Sequence, residues 1–189
     1  MFYIFDHLGN VIVDYDLEGY ITAAPSIGFA TYDQYNAEYK AVYVPMFESD
    51  GRIIQFSWSQ LLNDFITSGI PMQFDAKIQK GVALHNFYGD SDTDYLVYGT
   101  DNNEIRITDP TDSNLSTQTY SVGGKVRSAP IIIEFNDNEF LIVAGSKDDN
   151  LYAFRYPAME EQFTYETGGD VHSPSVFEHN EHGPVIVFG

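Results

Sequence analysis

The run NFYGDSDTD at positions 86–94 sets oxygen-bearing side chains around a glycine. Asn86, Asp90, Asp92 and Asp94 alternate with other residues, and Gly89 permits a sharp turn among them. Calcium is a hard cation that takes roughly six to eight oxygens from such a loop. These four residues are therefore the expected calcium ligands, and a solvated polar hairpin is the alternative. A second set is Thr22, Gln79, Arg127 and His172, each directly after an apolar residue at a corresponding place in the chain. Arg127 and His172 carry its charge chemistry. With Lys125, or through Lys77 and Lys80, the set offers an anion contact in an otherwise acidic protein. The alternative is that each is satisfied by hydrogen bonds to its neighbours. A third set is Tyr32, Tyr35 and Tyr39 in the segment ATYDQYNAEYK. Tyrosine gives large contact area at low entropic cost, which suits a partner or glycan surface. His179 and His182 are three apart, but the run around them reads as a turn, so they read as surface histidines rather than metal ligands.

Nothing in the chain matches a G-x-S-x-G elbow, a phosphate loop, an H-E-x-x-H helix or a dinucleotide fingerprint. Carboxylates are plentiful, but glycoside hydrolysis needs two of them at a set distance, which sequence does not supply.

The elements that must position these residues are short strands. Residues 124–154 read strand, turn, strand, turn, strand. Ile131, Ile132 and Ile133 suit a buried strand, and Asn136, Asp137 and Asn138 suit a hairpin. Residues 140–144 and 151–154 follow as strands, and 162–166 makes a fourth before Gly168 and Gly169. Four antiparallel strands per unit is the blade of a β-propeller. The unit repeats. Ile21, Ile78, Val126 and Val171, taken as the starts of first strands, are 57, 48 and 45 residues apart. Ile53, Ile105 and Leu151, in third strands, are 52 and 46 apart. Two anchors keeping step define a repeat array, with the first interval lengthened by an insertion at 31–40 that is expected to be a surface loop. Helical signal is confined to one turn at 60–66.

The expected fold is therefore all-β, a propeller-type array of about four four-stranded antiparallel blades in one domain, starting near 19, 76, 124 and 169. FYIF at 2–5 matches LYAF at 151–154, and VIVFG at 185–189 matches LIVAG at 141–145. The chain thus opens in a third strand and stops after a second. It is expected to be a piece of a longer propeller whose remainder is its partner; a closed four-bladed ring is the alternative.

The formal net charge of −19, from 9 basic and 28 acidic residues, excludes nucleic acid as a partner and disfavours anionic membranes. No stretch has the length of a membrane span, so no membrane insertion is expected. The absence of cysteine excludes disulfides and thiolate metal sites. MFYIFDHLGN lacks the basic and apolar regions of a signal peptide.

VRSAP at 126–130, GSKDDNLYAF at 145–154, GGDVHSP at 168–174 and FDHLGNV at 5–11 resemble PQQ-like and FG-GAP-type propeller repeats of bacterial proteins. The resemblance implies an exported protein, periplasmic or at the cell surface. It also implies that residues 86–94 are similar to an FG-GAP calcium loop, although Asn86 and Tyr88 stand where acidic ligands are expected. The enzymatic, quinone-dependent branch carries fourth-strand tryptophans and an adjacent cysteine pair, whereas Trp58 is the one tryptophan here and cysteine is lacking. The expected function is a non-catalytic binding or scaffold module for protein or glycan recognition, without an organic cofactor. The alternatives are a PQQ-dependent dehydrogenase, a carbohydrate-active propeller enzyme, or an outer-membrane assembly scaffold.

Overall fold

The computed structural model describes residues 1–21, 23–32, 37–46, 51–59, 64–65, 70–89, 93–136 and 138–189. It consists of five antiparallel sheets in chain order. The first pairs β1 (Phe2–Phe5) with β2 (Val11–Tyr15). The second runs β3 (Ser26–Tyr32), β4 (Ala37–Met46), β5 (Arg52–Ser59) and β6 (Asp64–Phe65), with β7 (Ile70–Gln73) also on β5. The third is β8 (Ala83–His85), β9 (Tyr95–Thr100), β10 (Glu104–Thr108) and β11 (Thr117–Ser121). The fourth is β12 (Ile131–Asn136), β13 (Glu139–Gly145), β14 (Asn150–Tyr156) and β15 (Glu160–Glu166). The last pairs β16 (Ser175–His179) with β17 (Gly183–Val187).

Turn chemistry sets the strand ends. Asn103 and Asp149 hold the left-handed conformation, φ 63° at each, in the turns between second and third strands. Asn and Asp accept this geometry more readily than other side chains. The β13–β14 turn is closed by Ser146 N–H donating to the Asn150 carbonyl at 2.9 Å. Between β1 and β2, the Asp6 carboxylate accepts from Leu8 N and Asn10 N, both at 2.8 Å.

Three expectations need correction. The apolar anchors do not start strands. Ile21, Ile78, Val126 and Val171 sit four or five residues earlier, on lead-in segments that arrive from the preceding sheet. Pro25, Pro130 and Pro174 stand directly before β3, β12 and β16. Proline has no N–H for the ladder, so pairing begins after it. The insertion at 31–40 is not simply a loop either. It lengthens a hairpin in which Tyr32 pairs with Ala37 and Tyr39 pairs with both Ala30 and Ser59; Tyr35 lies outside the described residues. Finally, Asp64–Phe65 is a strand pairing with Trp58 and Ser59, not helix; the rest of 60–66 lies outside the described residues.

The core lies between sheets rather than within one. Phe2 and Leu17 pack with Val44, Met46, Ile54 and Phe56 between the first two sheets. Tyr43, Ile53, Phe74, Ile78, Leu96 and Tyr98 join the second to the third. Phe87, Ile105, Val126, Phe140, Ile142 and Phe154 join the third to the fourth. Ile133, Val143, Leu151 and Val171, with Ile186 against them, join the fourth to the fifth. Each fully buried apolar side chain of this size stabilises by about 1.5–3 kcal/mol, so adjacent sheets hold one another. The lead-in anchors complete these interfaces. A Cβ on Gly99 would lie 2.2 Å from Val126 Cγ1, and one on Gly145 would lie 2.3 Å from Val171 Cβ. Each glycine thus makes room for the anchor of the next unit.

The first strands stand side by side, β3 against β8, and β8 and β16 against β12. They form the inner wall of the array. Lead-in segments and the turns between second and third strands share one rim, as Asp101 N–H to the Lys77 carbonyl and Lys147 N–H to the Lys125 carbonyl show, each at 2.9 Å. The β16–β17 turn and the residues directly before β9 lie at the opposite rim.

Candidate functional site

On the lead-in rim, side chains from two consecutive lead-ins meet at Asp101. Gln79 Nε2 donates to Asp101 Oδ2 at 2.9 Å. Arg127 closes a fork on the same carboxylate, Nε to Oδ1 and Nη2 to Oδ2, both at 3.1 Å. Lys125 Nζ adds a contact to Oδ2 at 3.3 Å. The Asp101 side chain is only 14% exposed. That burial pushes its carboxyl pKa up, but the Arg127 and Lys125 hydrogen bonds and charges outweigh it and hold the group below its ordinary 3.8. Arg127 is raised in turn, chiefly by its bond to Asp101.

The next unit inverts the charges. Lys147, at the turn position corresponding to Asp101, pairs with Asp170. The Asp170 carboxyl is held low by the Lys147 hydrogen bond first, with smaller help from the charges of Lys147, His172 and Arg127. His172 is exposed, and its backbone N–H reaches the Gly189 carbonyl at 3.4 Å. Arg127 and His172 therefore flank one acidic neighbour. The rim carries an alternating charge network that runs Gln79, Asp101, Arg127 with Lys125, Asp170, Lys147. Buried Ser128 fixes the lead-in beneath it, accepting from Gly145 N at 2.8 Å and donating to Gly145 O at 3.1 Å.

The expected calcium ligands are at the other end of β9, about 20 Å away by strand rise. Asn86 Oδ1 accepts from Gly89 N at 3.0 Å and Tyr88 N at 3.3 Å, capping its own turn. Asp94 joins the third sheet to the second: Oδ2 accepts from Phe29 N at 2.8 Å and Asp94 N donates to Phe29 O at 2.9 Å. Asp90 and Asp92 lie outside the described residues. Among the described residues no three His, Asp or Glu side chains group as metal ligands. Tyr88 Oη lies 2.8 Å from Tyr156 Oη, and the Phe87 ring packs 4.2 Å from Tyr156, so the loop also reaches the fourth sheet. The rings of His179 and His182 stack at 4.8 Å in the exposed β16–β17 turn.

Sequence reasoning passed over Asp101 and Arg106. Arg106 is held between Asp75 and Glu104 (Nη2 to Oε2 at 2.6 Å) in a groove of about 420 Å³ that Phe74, Leu115 and Thr119 also line. The alternation in EIRIT signals that Glu104 and Arg106 share a face. Asp101 had a signal too, since it stands where Lys147 does one unit later.

No family model matches the chain, and no curated protein matches it. Solved structures do. A chain in the crystal structure of a mitotic checkpoint complex superposes with a TM-score of 0.60 at 13% identity, over 99% of this chain and 50% of that one. A chain in the crystal structure of BBS1N in complex with ARL6DN gives 0.50 at 12% identity, over 89% of this chain and 60% of that one. Both are β-propeller chains. This chain has a β-propeller fold. Its second, third and fourth sheets are complete blades and its terminal sheets are half-blades. The propeller spans about half the length of the first of these neighbours.

Proposed function

We propose that this propeller is a non-catalytic binding or scaffold module that recognises a protein partner through its lead-in rim. The observation that carries this reading is the Asp101–Arg127 network. It presents fixed, alternating charges on a frame locked by buried Ser128. Recognition rewards groups held in place before binding, because ordering them then costs little. Five of the nine cationic residues, Lys77, Lys80, Lys125, Arg127 and Lys147, belong to lead-ins or the turn on this rim. In a chain of net charge −19, that concentration favours a partner with an acidic contact segment. The propeller neighbours, both determined within protein complexes, support protein recognition in general. The likeness to PQQ-like and FG-GAP-type repeats supports an exported or cell-surface setting.

The test is chemical cross-linking of the purified chain with candidate partner proteins, comparing the parent with an Arg127→Glu, Lys147→Glu variant. The expected result is loss of rim cross-links in a variant that keeps its far-UV spectrum and a single cooperative melt, at a somewhat lower midpoint. Partners retained at parental level by the folded variant would remove the rim from the binding surface.

A further inference from the structure

At the rim opposite the lead-ins, the turn between β10 and β11 borders a cavity of about 250 Å³. Tyr88, Tyr95, Ile107, Asp109 and Asp112 line it, with uncharged polar residues at 116–118. None of these residues is cationic. The two tyrosine rings make a corner, with centroids 5.5 Å apart and planes at 66°. The corner is held from behind. Tyr88 Oη lies 2.8 Å from the hydroxyl of buried Tyr156, and Tyr95 meets the buried Phe87 ring at 5.9 Å. Yet Tyr88 is 47% exposed. A ring tied to the core while half of it stays in water is a contact surface set in place before anything binds.

The carboxylates are set by their own turn. Asp109 Oδ1 accepts from Thr111 N at 2.8 Å and from Thr111 Oγ1 at 2.7 Å. Asp112 Oδ1 accepts from Asn114 N at 2.9 Å, and its Oδ2 from Ser116 N at 3.2 Å. Among the described residues, Asp109 Oδ2 accepts no hydrogen bond.

We propose that this cavity binds an alkylammonium group, with Tyr88 and Tyr95 walling the cation and Asp109 and Asp112 balancing its charge. Aromatic faces attract ammonium groups, and more strongly where water is partly excluded. The cavity is smaller than the roughly 300–1,000 Å³ that drug-sized ligands occupy, so it suits one head group or one side chain. A net charge of −19 concentrates cations around the chain. A hard metal ion is served less well. Calcium takes roughly six to eight oxygens, and three of the four carboxylate oxygens here already accept protons from the turn. The cavity takes the opposite charge from the lead-in rim and lies at the other end of β9, so it stands independently of recognition there. The ammonium has two sources, a lysine side chain of a partner protein or a free amine.

The test follows backbone amide shifts of the isotope-labelled chain with n-butylammonium, its uncharged counterpart n-butanol, a blocked lysine tripeptide and calcium. The expected result is saturable shifts at 88–89, 93–96 and 107–118 with butylammonium and none with butanol. Tyr88→Ala should weaken binding roughly fivefold. Tyr88→Phe, which keeps the ring, should leave it nearly unchanged. Asp109→Asn, whose side-chain oxygen can still accept from Thr111, should weaken it roughly threefold. Tighter binding of the tripeptide would support the proposal and assign the site to a partner's lysine; tighter binding of butylammonium would support it and assign a free amine. Equal shifts with butanol, shifts that Tyr88→Ala leaves unchanged, or no shifts up to tens of millimolar would each overturn it. Calcium moving the same amides at lower concentration would also overturn it and give the cavity to the metal.

Discussion

His85 shows how one side chain reads its surroundings. It lies on the inner strand β8, with its ring 5.0 Å from Phe87 and 4.6 Å from Phe140. Burial lowers its pKa below 6.5, and the charges of Glu134 and Asp94 oppose the shift without cancelling it. The folded state therefore binds fewer protons than the unfolded one. His85 contributes stability that is present above pH 6.5 and lost as pH falls through its folded value. An NMR titration should place its midpoint below 6.5, Phe140→Ala should bring that midpoint back up, and Glu134→Gln should lower it further. Asp101 acts lower on the scale. Its depressed pKa means that its contribution is present above 3.8 and lost as pH falls below it. Asp101→Ala removes four hydrogen bonds from cationic and amide donors. Because Arg127 and Lys125 stay partly hydrated, the cost by urea denaturation should be about 1–2 kcal/mol. Asp101→Asn should flatten the acid limb of the stability curve.

At the scale of elements, what the sequence made legible was local chemistry, and what it hid was contact between units. The strand cores at 140–144 and 151–154, the Asp149 turn and the period were readable because β-branched runs and Asn/Asp turns act within a few residues. The role of Val126 was not, because its N–H bonds Thr100 of the preceding blade at 3.0 Å and its side chain fills the space above Gly99. An apolar residue after a turn looks the same whether it pairs in a strand or plugs a neighbour. Asp94 was legible only in part for the same reason: a carboxylate in an acidic turn looks like a ligand, and its hydrogen bond from Phe29 N–H is visible only once it stands beside β3. The plug can be tested. Gly145→Ala would set a methyl 2.4 Å from the Val171 carbonyl oxygen as well as against its side chain. Overpacking of this kind costs about 1–3 kcal/mol. Val171→Ala in the same chain should recover only part of that, because the backbone clash remains; a double-mutant cycle of urea midpoints measures both effects.

For the whole molecule, stability should fall from the middle blades outward. Among the described residues the third and fourth sheets are flanked on both sides by buried clusters, whereas each two-stranded terminal sheet joins one. Amides of β9, β13 and β14 should therefore outlast those of β1, β2, β16 and β17 in hydrogen exchange, since local opening follows the number of buried contacts.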